Sequence, residues 1–229
     1  MIPRQACRLC VITDPELGRG LSHVGIARQA LEGGASMIQL RDKSAGLREL
    51  LPQGQEIASL CRERGAHFIV NDRLDLALAV NADGVHLGQD DLPPMAVRAA
   101  LGPGKILGVS THSLEQAIRA AEEGADYLGI GPIFATSTKA IGYEPVGCAM
   151  IRQLRARLQL PLIAIGGITL DTISSVIRTG AAGVAVISAI AGAEDVTLAS
   201  RGFLAAILKA ERGPRSDKKV VDGSFPLSL

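Results

Sequence analysis

The sequence predicts an α/β fold, a single (β/α)8 barrel of the TIM type. Three observations predict it: a length of 229 residues, eight short apolar runs each followed by a polar or amphipathic stretch, and glycines where that stretch gives way to the next run. Barrels of roughly 200–250 residues are an ordinary size for one domain of this class. The apolar runs fall at 9–12, 37–40, 68–70, 84–87, 106–109, 127–130, 162–165 and 184–187. Each is short and nearly continuous in apolar character, as parallel strands covered on both faces require.

The segments between the runs carry helical periodicity. In 113–123, Leu114, Ala117, Ile118 and Ala121 share one side, Ser113 is placed to cap the helix, and Gln116 three residues on completes a capping box. Gly33-Gly34, Gly65, Gly124 and Gly180 stand where a left-handed residue ends a helix before the next strand. An open dinucleotide-binding sheet would carry G-x-G-x-x-G after its first strand, whereas 13–20 reads Thr-Asp-Pro-Glu-Leu-Gly-Arg-Gly. The barrel is therefore preferred. It is expected over residues 1–212, with 213–229 a flexible polar tail.

Composition narrows the function. The formal charge is +1 and there is no Trp, so the chain offers neither a basic field nor stacking platforms for nucleic acid. No run approaches a membrane span, and the first residues carry no apolar leader, so a cytoplasmic protein is expected. Cys7 and Cys10 form a C-x-x-C that reads as part of the first strand, where positions i and i+3 face opposite sides and cannot share a metal. Two packed thiols are the simpler expectation.

The chemistry is concentrated after the strands. In a barrel the active residues sit at the C-terminal ends of the strands. Those positions hold Gln39-Leu40-Arg41-Asp42-Lys43, Asn71-Asp72, His86-Leu87-Gly88-Gln89-Asp90-Asp91, Ser110-Thr111-His112, Thr136-Ser137-Thr138-Lys139, Gly166-Gly167 and Ile187-Ser188. Arg41, Lys43 and Lys139 facing one mouth imply an anion, and a guanidinium suits phosphate oxygens. Carboxylates beside them would repel it unless a cation intervenes, which points to Mg2+ held by carboxylates and substrate phosphates together. The turns after the seventh and eighth strands form the usual barrel site for a second phosphate. His86, inside an apolar run, reads as a packed, hydrogen-bonded histidine. Ser110 reads as a hydrogen-bonding group, because the sequence places no base beside it.

In this order and spacing, the motifs 39–43, 70–72, 86–91, 108–110, 131–134 with Thr138-Lys139, and 165–168 resemble those of thiamine-phosphate synthases, and the similarity runs from about Leu9 to about Lys209. The resemblance implies condensation of a hydroxymethylpyrimidine pyrophosphate with a thiazole phosphate, releasing pyrophosphate through a pyrimidine carbocation. It also implies roles. Gln39, Arg41, Lys43, Asn71, Ser110 and Lys139 would bind the pyrimidine pyrophosphate, with Leu40 and Asp42 in the same stretch. Asp72 and Asp91 would hold Mg2+. Thr136, Ser137 and Thr138 would meet the thiazole phosphate, beside the backbone of Gly167, Ile187 and Ser188. Arg41, Lys43, Ser110 and Lys139 would carry catalysis. The chain departs from the family at Ala135, where Pro is common, and over Ala140–Pro145, from which altered loop rigidity is expected.

Rival readings are a thiazole tautomerase-like relative, a sugar-phosphate isomerase or indole-forming barrel, and a catalytically silent regulatory barrel. The first would lack the cation and carboxylate set, the second would want an acid–base pair, and the third would bind without turnover. A homo-oligomer is an expectation from the fold alone.

Overall fold

The computed structural model describes residues 2–136 and 144–213. Eight parallel strands close into a barrel in sequence order: β1 (Leu9–Thr13), β2 (Met37–Leu40), β3 (His67–Asn71), β4 (Gly84–Leu87), β5 (Ile106–Thr111), β6 (Tyr127–Ile130), β7 (Leu162–Ile165) and β8 (Gly183–Val186), with β8 pairing back onto β1. Among the described residues the outer layer is α1 (His23–Glu32), α2 (Leu47–Arg64), α3 (Leu74–Ala79), α4 (Pro94–Leu101), α5 (Leu114–Glu122), α6 (Gly147–Arg155), α7 (Ile173–Ile177), a single turn α8 (Ser188–Ala191) and α9 (Val196–Glu211). The expected tail beyond Gly213 lies outside the described residues. None of the described helices is long and apolar enough to cross a membrane.

The runs look continuous because both strand faces are buried, but the two faces meet different partners. Leu9, Val11, Ile38, Leu40, Phe68, Val70, Val85, Leu87, Leu107 and Val109 pack outward into the layer shared with the helices. Their alternates Cys10, Ile12, Met37, Ile69, Tyr127 and Ile163 fill the barrel interior. By the same period of two, Gln39, Asn71, His86 and Ser110 turn inward near the C-terminal rim.

The glycine signals correspond to real helix stops. Gly34, Gly65, Gly124 and Gly180 have φ of 93°, 64°, 94° and 99°, a conformation that costs glycine little. At α5, Ser113 Oγ accepts from Gln116 N at 3.2 Å as expected, but Gln116 Oε1 accepts from His112 N at 2.7 Å and not from the cap residue. The box therefore closes one residue upstream and ties down the loop after β5.

One sequence expectation is overturned. Cys7 does not lie on a strand: it ends a 3-10 turn, Arg4–Cys7, that plugs the N-terminal mouth of the barrel. Strand alternation thus does not apply, and Cys7 and Cys10 join the same interior cluster. Both are free thiols. Burial pushes Cys7 up to about 12 and Cys10 higher still, which removes the thiolate on which metal binding and redox chemistry depend.

Candidate active site

The site begins with a row across the barrel. Asn71 on β3 pairs in register with His86 on β4, His86 with Gly108 on β5, and Gly108 with Tyr127 on β6. Gly108 is the gap in this row: a Cβ there would fall inside the Tyr127 ring and against His86 Nδ1. Across that gap His86 and Tyr127 stack with ring centroids 5.4 Å apart, and His86 Nδ1 lies 2.9 Å from the Tyr127 hydroxyl. Ser110, two residues along β5, faces the same interior one layer higher, and its Oγ lies 2.8 Å from His86 Nε2.

The tautomers follow from donor bookkeeping. Gln39 borders the same inner cavity as Tyr127 and His86. Burial pushes the phenol well above its ordinary value, so it keeps its proton. If Tyr127 donates to His86 Nδ1, then His86 Nε2–H donates to Ser110, and every donor in this chain finds an acceptor. A serine whose oxygen receives a hydrogen bond offers its own proton outward. It is thus built to donate, although a histidine does lie beside it, contrary to the sequence expectation that Ser110 has no neighbouring base.

Two cavities meet at this serine. A cavity of about 30 Å³ inside the barrel is bordered by Gln39, Asn71, His86, Ser110 and Tyr127. A larger one, about 160 Å³, opens beside the ends of β5 to β8 and is bordered by Ser110, Thr136, Gly167, Ile187 and Ser188, together with His112, Pro132 and Thr169. Ser110 and Ile165 border both. Gly166 and Gly167 have φ of 95° and 63°. A Cβ on them would meet Pro132 Cα at 2.7 Å and Ala135 O at 2.5 Å. These glycines therefore also serve close packing against the loop after β6, a reason the sequence reading did not include.

The mouth above β2 to β4 carries the charges. Lys43 Nζ lies 3.4 Å from Asp72 Oδ2. Asp72, at φ 61°, sits in hydrogen-bonding reach of Asp91. Burial first and the Asp91 carboxylate second push Asp72 above the usual carboxylate range. Asp91 Oδ2 accepts from Gly88 N at 2.6 Å, which folds the loop after β4 around it. Arg41 Nε is buried, with no hydrogen-bond partner among the described residues.

Not every residue picked from the sequence turns to the cavity. Leu40 is buried in the outer layer against the helices, so its side chain lies away from the interior. Asp42 is engaged by its own loop: Oδ1 accepts from Ser44 N, Ser44 Oγ and Ala45 N at 2.8, 2.9 and 2.8 Å, and Oδ2 lies 3.2 Å from His23 Nε2. Ser137, Thr138 and Lys139, with Ala140 to Tyr143, lie outside the described residues. His86 is packed and hydrogen-bonded as the sequence suggested, but it also joins the site. Tyr127, which the sequence offers only as the start of the sixth apolar run, belongs to the site as well. Its signal was a polar residue in the inward register of an apolar run.

The profile of the thiamine monophosphate synthase family matches residues 9–190. The chain belongs to this family. It is 52% identical over 197 residues to the thiamine-phosphate synthase of Methanospirillum hungatei, covering 86% of this chain and 96% of that one. Against that of Chloroflexus aurantiacus it is 47% identical, covering 87% and 92%. The solved thiamine phosphate pyrophosphorylase of Pyrococcus furiosus superposes with a TM-score of 0.83 at 42% identity, covering 90% of this chain and 98% of that one. This membership makes the chain a transferase of thiamine biosynthesis.

Proposed function

We propose that the chain joins 4-amino-2-methyl-5-hydroxymethylpyrimidine pyrophosphate to 4-methyl-5-(2-phosphoethyl)thiazole, plain or carboxylated, giving thiamine phosphate and pyrophosphate. The observation that carries this reading is Arg41, whose buried Nε has no partner among the described residues. A buried charged donor left unpaired costs free energy, on the order of 1–3 kcal/mol or more, so its presence calls for an anion. Lys43 beside it, and Lys139 from the sequence, add to the positive charge that a departing pyrophosphate needs.

The donor set fits Mg2+. Asp72 and Asp91 are close enough to raise the pKa of Asp72, and a divalent cation between such carboxylates relieves that repulsion. Among the described residues no group of three or more His, Cys, Asp or Glu assembles. The remaining ligands of a hard cation at Asp72 and Asp91 would then be substrate phosphates and water. When bound, Mg2+ would neutralise charge growing on the leaving pyrophosphate.

The chain's own residues supply the rest. Gln39, Asn71 and Ser110 border the inner cavity, where their polar groups suit hydrogen bonds to the amino group and ring nitrogens of a pyrimidine seated at its mouth. Thr136, Ser137, Thr138, Gly167, Ile187 and Ser188 are assigned to the thiazole phosphate. Ser110, on the boundary of both cavities, stands where the new C–N bond forms, and its outward proton serves as a hydrogen bond to the reacting groups. Arg41, Lys43 and Lys139 hold the leaving group, so that the methylene–oxygen bond breaks before the thiazole nitrogen attacks. The charged phosphate substrates fit a cytoplasmic enzyme with no role for nucleic acid.

Incubating the purified protein with both substrates and Mg2+ tests this. Thiamine phosphate and pyrophosphate should appear in equal amounts. Folded protein that binds either substrate yet yields neither product would overturn the reading.

A further inference from the structure

Behind the 41–43 loop lies a polar cluster that the reaction as proposed does not use. Thr13 ends β1, His23 opens α1, and Asp42 follows β2. Thr13 and His23 are buried, at 0% and 2% exposure. Thr13 Oγ1 lies 2.7 Å from His23 Nδ1, and His23 Nε2 lies 3.2 Å from Asp42 Oδ2. The other Asp42 oxygen gathers Ser44 N, Ser44 Oγ and Ala45 N.

The protons in this cluster have a definite arrangement. Thr13 has one hydroxyl proton and two acceptors within reach, His23 Nδ1 at 2.7 Å and Gln39 O at 3.4 Å. The shorter contact takes it. His23 then carries its proton on Nε2 and donates it to Asp42, so a neutral ring meets a carboxylate with every atom satisfied.

The position of Asp42 in the chain gives this a purpose. A carboxylate between Arg41 and Lys43 would compete with a phosphate ligand for both cations. Here its two oxygens are turned to the loop and to α1 by four hydrogen bonds. The same bonds fix the turn 42–45, whose backbone carries Lys43 and adjoins Arg41.

We propose that His23 is a positioning residue for pyrophosphate binding: held by Thr13, it draws Asp42 away from the neighbouring cations and fixes the turn that presents Arg41 and Lys43. Asp42 thereby acts as a pin of the loop and not as a substrate contact. The inference rests on the assignment of Arg41 and Lys43 to the pyrophosphate.

His23→Leu keeps the bulk and removes the donor, whereas His23→Gln keeps a donor near the position of Nε2. For His23→Leu we expect the KM for the pyrimidine pyrophosphate to rise roughly tenfold, with the KM for the thiazole phosphate changed less than about twofold. His23→Gln should restore most of the loss. Titration calorimetry with inorganic pyrophosphate and Mg2+ should show the same order of affinities: wild type, Gln, Leu. Thr13→Val, which removes the hydroxyl alone, gives the same readout should His23→Leu not fold, and it should weaken pyrophosphate binding in the same direction. An unchanged pyrophosphate affinity in folded His23→Leu or Thr13→Val overturns the inference while leaving the synthase reading intact. Equal losses for both substrates, without rescue by Gln, overturn it as well, because they mark a merely structural role. A wild type that makes no thiamine phosphate overturns the synthase reading instead, and pyrophosphate titration then still decides the role of His23.

Discussion

His86 Nε2 lies 2.8 Å from Ser110 Oγ, although the two residues are 24 positions apart and belong to neighbouring strands. A serine beside a histidine invites comparison with a nucleophilic pair. The partner behind this histidine, however, is the Tyr127 phenol and not a carboxylate. With a phenol in that place, the pair serves to orient a hydrogen-bond donor.

Ser110→Ala should therefore slow turnover by about a hundredfold with little change in stability, the scale of one lost donor at a reacting centre. Mass spectrometry of rapidly quenched wild-type enzyme should find no covalent adduct. An adduct on Ser110 would show that the hydroxyl attacks.

Gly108→Ala tests the gap in the row. The added methyl would overlap the Tyr127 ring and His86, and overpacking of this kind costs about 1–3 kcal/mol. Urea unfolding should show that loss, together with weakened activity. Wild-type stability in this variant would mean that the stacked pair moves freely, and the layered interior would need another explanation.

Arg41→Met should separate function from stability. Arg41 is half-buried, and replacing it with an apolar chain of similar length removes a buried Nε donor that has no partner among the described residues. Turnover should fall by about a hundredfold or more, while Tm stays level or rises. A clear fall in Tm would identify Arg41 as a structural residue.

The pH dependence of stability follows from His23. Burial pushes its ring below the ordinary value of 6.5, against the opposing pull of Asp42, Asp14 and Glu49. The folded state thus favours the neutral ring, and the unfolded chain binds the extra proton below about pH 6.5. This contribution is fully present above that pH and is lost as pH falls through it. Urea unfolding of the wild type between about pH 5 and 7.5 should give a steeper rise in stability than His23→Gln. Parallel curves would count against a neutral buried ring.

Removal of divalent cations should stop pyrophosphate release, and Mg2+ should restore it. Asp91→Asn should shift the Mg2+ concentration needed for half-maximal rate upward by at least about tenfold. A wild type at full rate in excess chelator would remove Asp72 and Asp91 from the metal assignment.

Much of the architecture was legible along the chain. The apolar runs at 37–40, 84–87, 127–130 and 162–165 are the strands themselves, because a fully buried parallel strand has no polar face to blur its ends. Gly34, Gly65, Gly124 and Gly180 were legible because a left-handed backbone leaves few other choices of residue. Arg41, Lys43, Asp72 and Asp91 stood out because charges directly after apolar strands need a partner.

What escaped the sequence was direction. A run buried on both faces hides which residues point inward, so the sequence does not tell that the Tyr127 side chain lies in the interior and that of Leu40 in the outer layer. Cys7 reads as strand because Ala6 and Cys7 run straight into the apolar start of β1, with only Arg8 between, although they close the 3-10 turn. Along the chain Asp42 resembles its charged neighbours; only the fold brings His23, nineteen residues earlier, against its carboxylate. By itself, then, the sequence determined the eight units, their order and the residue types at their ends, since local periodicity and composition encode these. Only the tertiary structure decided that Ser110 meets His86 and that Asp42 turns to His23. Closing the barrel sets the register between strands, and that register brings distant side chains within hydrogen-bond range.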